Sequence, residues 1–307
     1  MNRSNVESSL PIAGVAYALA AVAIWTGFIL VSKAAALGAL ALPDMMMVRF
    51  GTAFVLFFPF IWQHRKTILQ WRMFALGSIG GLAYALFVFN GFQHAPATHA
   101  ALLLPGLMPI MIAIFAYFLA NERHTVASWT GILVSSLGIL ALLAETMLSG
   151  ATYWLGDISF VISCVLWGIF TVLLRRWKFA PWHATLGIIT VTTLLFAPVY
   201  ALFLPHHLTE ASWEMIGLQA FYQGVMATTV QMVCYGRAVH ILGATKMGGL
   251  MALVPVFASV LAVPLFGEQW TQGLSIALVL ILIGTLIGNI PFAKWRLRLP
   301  YRTALKS

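Results

Sequence analysis

The sequence contains few charged residues for its length. Lysine, arginine, aspartate and glutamate make up 8% of the 307 residues, whereas an ordinary soluble domain carries roughly 25%. Apolar residues make up 61%, and they occur in blocks of roughly 20 rather than at every third or fourth position. A helix of that length spans the hydrocarbon core of a bilayer. The chain is therefore predicted to be an all-helical integral membrane protein.

Several motifs are also missing, and each absence argues against a class of function. No phosphate-binding loop occurs and no loop has room for a nucleotide-binding domain, so ATP hydrolysis within this chain is excluded. Neither His-Glu-x-x-His nor Gly-x-Ser-x-Gly occurs, which argues against a membrane-embedded enzyme. No residues have metal-ligand spacing, so we expect neither a metal nor a cofactor. Cys164 and Cys234 lie within apolar blocks and are interpreted as packing residues.

The apolar blocks predict ten membrane-spanning helices. Their ends are placed to within about three residues, and the segments are roughly 12–32, 44–62, 72–92, 97–119, 126–144, 153–175, 182–203, 212–236, 243–265 and 271–291. With the N-terminus in the cytoplasm, every lysine and arginine except Lys33 and Arg49 falls on the cytoplasmic side. The positive-inside rule therefore predicts that both termini are cytoplasmic, in a bacterial inner membrane. The net charge of +9 reflects this topology rather than nucleic-acid binding.

The chain repeats itself at an interval of about 140 residues. Trp25 and Phe28 in the first span match Trp167 and Phe170, at an offset of 142. In the fourth and fifth spans, one offset of 146 relates the pairs Leu107/Leu253, Pro109/Pro255, Glu122/Glu268, Thr125/Thr271 and Gly138/Gly284. Because each half has five spans, the second half enters the membrane in the opposite direction. The predicted fold is thus two inverted five-helix repeats, residues 1–148 and 149–307, around a central cavity.

The second copy of the repeat resembles a known family. It contains Leu253-Val254-Pro255, then Gly267-Glu268, then a glycine-punctuated last helix. This pattern is similar to the EamA-type repeat of the drug/metabolite transporter superfamily, over essentially the whole chain, and the chain resembles bacterial exporters of amino acids, including aromatic ones. The resemblance implies that the first, third, fourth, sixth, eighth and ninth helices surround the cavity, with the fifth and tenth packed behind.

Candidate cavity residues come from the aromatic and amide side chains at membrane depth. Trp25, Tyr84 and Trp167 lie away from the interfacial belts where tryptophan usually sits, so they either line a cavity or pack in the core. The eighth span is unusually polar, and Tyr222, Gln223 and Gln231 either face a substrate or bond to neighbouring helices.

Prolines and charges supply a second group of candidates. Pro109 and Pro255 remove backbone hydrogen bonds, so they either bend helices beside the transport site or serve packing. Arg49 lies well inside the second span, and it binds a substrate carboxylate, pairs with Asp44 or extends to the interface. Glu122 and Glu268 each precede a threonine that can cap the next helix, and they are interpreted as structural, with binding of a coupling ion as the alternative.

These features predict a transporter. The preferred function is a secondary exporter of small amphipathic metabolites, above all amino acids, that works by alternating access as a monomer in the bilayer. No carboxylate lies in the middle of a span, which favours movement down a gradient over coupling to protons or sodium. Efflux of organic cations by proton antiport is the alternative, and a membrane-embedded enzyme is a distant one.

Overall fold

A computed structural model describes residues 12–38, 40–120, 125–148, 152–242, 247 and 250–289. This part of the chain is helical, without strands. Its long helices are α1 (Ile12–Leu37), α2 (Leu42–Gln63), α3 (Trp71–His94), α4 (Ala97–Ala120), α5 (Val126–Leu148), α6 (Trp154–Arg176), α7 (Pro181–Phe203), α8 (213–242), α9 (Leu253–Phe266) and α10 (Gln272–Asn289). One further helical turn, Arg65–Ile68, precedes α3.

The helices begin where the sequence provides a suitable first turn. Pro43 and Pro181 lie at the first positions of α2 and α7, where a missing N–H leaves no bond unmade. The Ser212 hydroxyl accepts a bond from the Met215 N–H at the start of α8. The predicted threonine caps are confirmed, because Thr125 accepts from Ser128 N–H and Thr271 accepts from Leu274 N–H.

Seven helices, α1 to α7, are long and apolar enough to cross a membrane. Among the described residues, α9 and α10 are apolar but shorter, and α8 carries the glutamines that lower its hydropathy. The structure therefore shows a multi-pass helical membrane protein, while the count of ten spans stays a prediction. The ninth predicted span, 243–265, differs most, since its regular helix begins only at Leu253.

Helix packing joins the two halves of the chain extensively. α1 packs against α8 and α9, and α6 packs against α3 and α4. α2 contacts α7, α4 contacts α9, and α5 contacts α10. The α5–α10 contact is close because Gly131, Gly284 and Gly288 bring the two backbones together. These glycines thus serve packing within the chain.

Glu268 stabilises a helix other than the one the sequence indicated. Its carboxylate accepts bonds from the backbone N–H groups of Ala97 and Thr98, at the start of α4. The prediction had assigned it to the turn before α10, but there the acceptor is Glu145, which bonds Thr271 and the Gly273 N–H. Only folding shows which helix start lies nearest to a carboxylate. The corresponding Glu122 lies outside the described residues.

Candidate functional site

The polar face of α8 lies against α1. The Gln219 side chain donates to the Val31 carbonyl at 2.8 Å, and the Tyr222 hydroxyl donates to the Ile24 carbonyl at 3.2 Å. Gln223 Nε2 donates to Ser32 Oγ at 2.7 Å, and this glutamine is fully buried. The spacing of three and four residues puts these side chains on one helix face. In this structure Tyr222 and Gln223 therefore form the interhelical bonds that were the alternative to substrate contact.

Gln223 also contacts the arginine inside α2. Its Oε1 accepts a bond from Arg49 Nη1 at 3.0 Å. The guanidinium lies over the rings of Phe28 and Phe89, at 5.2 Å and 5.9 Å from their centroids, where the ring faces attract a cation. The predicted partner Asp44 is wrong, because that carboxylate instead accepts a bond from the Tyr200 hydroxyl at 2.6 Å.

Two of the predicted aromatic residues are in direct contact. The ring centroids of Tyr84 and Trp167 lie 4.9 Å apart, and this contact joins α3 in the first half to α6 in the second. Trp25 instead contacts Phe28, with ring centroids 6.0 Å apart. Tyr84 is also close enough to Arg49 to interact with its charge.

These contacts, with the ring of Phe89 on α3 beside Arg49, connect residues of α1, α2, α3, α6 and α8 into one group. We call it the central cluster, and it consists of Trp25, Phe28, Arg49, Tyr84, Trp167 and Gln223. It has one positive charge, an amide and several aromatic faces, so it is suited to an amphipathic molecule with an apolar body.

The remaining predicted residues lie apart from these contacts. Gln231 is half-buried and lies eight residues beyond Gln223, roughly 12 Å further along α8. Pro109 is exposed inside the continuous helix α4. Pro255 is buried in the first turn of α9, directly after the break at Ala252. Because N–H groups of a first turn have no helical partner, Pro255 leaves no helical bond unmade there, and bending at the two prolines stays a prediction.

Sequence reasoning missed two π-helical segments that border the central cluster. They are Ser78–Ala83 in α3 and Ala220–Val230 in α8. Their first residues differ by 142, the offset that relates Trp25 to Trp167. Tyr84 directly follows the first segment, and Tyr222 and Gln223 lie within the second. π segments occur frequently at functional sites, because the wider turn displaces side chains from the α-helical register. No residue pattern in the sequence signals them.

A second polar group was also missed, at the ends of α3, α4 and α6. Lys33 donates to the carbonyls of Phe92 and Ala95, and His99 Nδ1 lies 2.8 Å from the buried Asp157 carboxylate. The sequence shows His99 and Asp157 only as isolated residues near span ends. Among the described residues, no three histidine, cysteine or acidic side chains are grouped to hold a metal ion.

Comparisons with known proteins agree with a helical membrane protein that contains a repeat. A model of the EamA-like transporter family matches twice, at residues 12–144 and 154–290. An uncharacterized transporter of Clostridium kluyveri is 24% identical over 56% of this chain and 57% of its own length. The aromatic amino acid exporter YddG of Ancylobacter novellus is 31% identical over 44% of this chain and 48% of its own length. The chain thus spans about half the length of these two curated relatives.

Two further comparisons cover more of the chain. The uncharacterized transporter YyaM of Bacillus subtilis is 25% identical over 74% of this chain and 75% of its own length. A crystal structure covers 91% of this chain and 98% of its own, with a TM-score of 0.58 and 22% identity, which supports the fold alone. The family and these relatives are transporters and not enzymes.

Proposed function

This chain belongs to the EamA-like transporter family, and we propose that it is a secondary exporter of small amphipathic metabolites, amino acids above all. The observation that carries this proposal is the contact of Tyr84 with Trp167 beside Arg49 and Gln223. Aromatic faces and amides drawn from both halves of the chain suit a molecule with an apolar side chain and polar backbone groups. The similarity to an aromatic amino acid exporter supports the same substrate class.

The proposed architecture is ten spans in two inverted repeats, residues 1–148 and 149–307, with both termini in the cytoplasm of a bacterium. The two separate family matches support this division, as does the equal offset of the π segments. Inverted repeats allow one bundle to rock against the other, so that a central site opens to each side in turn. Since both repeats lie in one chain, a monomer suffices.

In the proposed mechanism, the substrate enters between the halves and competes for the polar groups of α8. Gln223 exchanges its bond to Ser32 or Arg49 for one to the substrate, while Trp25, Tyr84 and Trp167 provide apolar and ring contacts. Tyr222 and Gln231 line the same side of the pathway. Pro109 and the break before Pro255 let α4 and α9 change direction as the halves move.

The test is uptake of a panel of radiolabelled amino acids into liposomes that contain the purified protein, with and without a pH gradient. We expect uptake of apolar and aromatic amino acids above that of empty liposomes, unchanged by the gradient. Transport of organic cations alone, driven by the proton gradient, would contradict the proposal and support the efflux alternative.

Two variants, one in α6 and one directly after it, test the role of the central cluster. Trp167→Leu removes the ring that contacts Tyr84, and we expect uptake to fall by about tenfold, since an aromatic contact and its buried area are lost. Trp177→Leu is the matched control, because Trp177 contacts the ring of Trp71 at 5.5 Å but lies roughly 15 Å further along the helix. Equal effects of the two substitutions would show that the rings only stabilise the fold.

A further inference from the structure

Arg49 lies inside α2, and no acidic residue in the described part of the chain pairs with it. It is seven residues beyond Leu42, where α2 begins, so it lies roughly 10 Å along the helix. Its only side-chain hydrogen bond found in the described region is to the neutral amide of Gln223, and its Nε has no partner there. An ionised group at this depth is costly unless it is paired, and such groups usually serve function.

The acidic residues of the described region are all engaged elsewhere or lie at a helix start. Asp44 bonds Tyr200, Asp157 pairs with His99, and Glu210 pairs with His207. Glu145, Glu268 and Glu214 lie at the starts of α10, α4 and α8. None of these carboxylates lies within ion-pair distance of Arg49. The central cluster therefore carries a positive charge that no described carboxylate neutralises.

The guanidinium is enclosed by residues of three neighbouring helices, yet Arg49 is not completely buried. Arg49 is half-buried, whereas Phe28, Phe89 and Gln223, which surround it, are 5%, 0% and 0% exposed. An anion that reaches the guanidinium would bond the N–H groups that Gln223 does not engage, in the two-pronged geometry that guanidinium offers to carboxylate.

We propose that Arg49 binds the carboxylate of the transported substrate, so that the protein carries amphipathic carboxylates and excludes organic cations. This inference rests on the proposed function and narrows it. The central cluster offers no acidic group to an ammonium, and aromatic faces attract a cation only weakly beside a guanidinium. The carboxylate is thus the required group, and the α-amino group of an amino acid is dispensable.

A series of four phenylalanine analogues tests this, with binding measured by quenching of intrinsic tryptophan fluorescence in the purified protein. Phenylalanine carries both charged groups, 3-phenylpropionate only the carboxylate, and phenylalaninamide and phenethylamine only the amine. We expect the two carboxylates to bind at least about tenfold more tightly than the two amines, from charge-assisted hydrogen bonds. Equal or tighter binding of the amines, or no binding of either carboxylate, overturns the proposal.

Substitutions assign the effect to Arg49. Arg49→Met should abolish the preference for carboxylates, and Arg49→Lys should retain part of it because the charge remains. Arg65→Met is the matched control, since Arg65 also lies over an aromatic ring, that of Trp62 at 4.7 Å, but is exposed at the end of α2. A preference that survives Arg49→Met also overturns the proposal.

The outcome is separable from that of the proposed function. If the protein takes up some amphipathic solute but shows no preference for carboxylates, only the proposed role of Arg49 is contradicted. If no amino acid in the panel is taken up but 3-phenylpropionate binds tightly, the amino-acid assignment is contradicted. The proposed role of Arg49 is then retained. The analogue series uses the wild-type protein, so it tests the preference for carboxylates even if Arg49→Met is unstable.

Discussion

The helix pairs α1–α3 and α6–α8 occupy equivalent places in the two halves, yet they pack differently. α1 and α3 are in contact, with the rings of Phe28 and Phe92 6.1 Å apart and Lys33 bonded to two carbonyls at the end of α3. Within the part of the chain that the structure describes, α6 and α8 make no comparable contact. At the offset of 142, the counterpart of the buried Lys33 is the exposed Arg175.

The proposed alternating-access mechanism requires such a difference. Two inverted repeats with the same fold would give a symmetric molecule, with a central site closed at both ends or open at both. A carrier instead closes one end at a time, so equivalent helices must adopt different contacts in any one state. In the proposed orientation, the closed α1–α3 end faces outward and the open α6–α8 end faces the cytoplasm.

The largest expected effect comes from linking the two closed helices covalently. In a Cys164→Ala, Cys234→Ala protein, Phe28→Cys and Phe92→Cys place two thiols where the rings now touch. A short reducible bifunctional thiol reagent should join them and lower transport by about tenfold or more, because the α1–α3 end can no longer open. Uptake is measured before linking, after linking and after reduction.

The second half offers a matched pair at the same offset, Phe170→Cys with the native Cys234. We expect the reagent to join this pair poorly without substrate, as judged by mass spectrometry of peptides, because α6 and α8 are apart. Efficient linking of both pairs, or undiminished transport after linking the first, contradicts the asymmetry.

A smaller effect is expected when only the lysine contact is removed. Lys33 donates to carbonyls in the last turn of α3, which have no helical partner. Lys33→Met should weaken the closed end by about 1–2 kcal/mol, roughly five- to thirtyfold in population. The readout is labelling of Ala35→Cys, a fully buried position on α1, by a membrane-impermeant maleimide in the cysteine-free protein.

Arg175→Met, tested in the same Ala35→Cys protein, is the control for loss of a positive charge at the equivalent place. It should leave labelling unchanged, since Arg175 is exposed on the other helix pair. If both substitutions increase labelling alike, the lysine contact does not hold the end closed.

The smallest effect concerns the loop beside the closed end. His207 Nδ1 lies 3.0 Å from Glu210, and this carboxylate raises the pKa of His207 above its ordinary value of about 6.5. The ion pair is complete below pH 6.5 and is lost as the pH rises through the raised pKa. The NMR signal of His207 should titrate with a midpoint above pH 6.5 in the wild type. In Glu210→Gln the midpoint should lie closer to pH 6.5.

Glu214→Gln is the control for this titration, since Glu214 lies in the same region and is not the partner of His207. It should leave the midpoint of His207 in place. A midpoint that is insensitive to Glu210→Gln would show that the contact does not persist in the membrane.

Local features of the fold were predictable, while the choice of partners was not. Thr125 and Thr271 cap helices as expected, because capping involves residues only three positions apart. Arg49 and Gln223, by contrast, are separated by 174 positions. Periodicity shows which helix face is polar, but not which helix lies opposite. For the same reason Asp44 was one of the candidate partners for Arg49, whereas in the folded chain Asp44 bonds Tyr200.

The π segments show a second limit. A π turn contains one more residue than an α turn does, and its sequence differs little from that of the surrounding helix. Gly80 and Gly81 lie in the first segment, but glycine pairs occur in many close helix contacts. The central cluster was therefore predicted in its residue types and membrane depth, and not in its contacts.

By itself, the sequence determined that this protein lies in a membrane as apolar helices and contains a repeat, because hydrocarbon admits only backbone that is bonded within its own segment. Hydropathy and the offset between repeated residues are properties of the linear sequence, so they can be counted along the chain. The tertiary structure alone decided that Arg49 bonds an amide and none of the described carboxylates, and that α1 and α3 are in contact while α6 and α8 are apart. Those outcomes depend on distances between helices that are far apart in sequence. The free-energy differences between alternative helix packings are not visible in any local residue pattern.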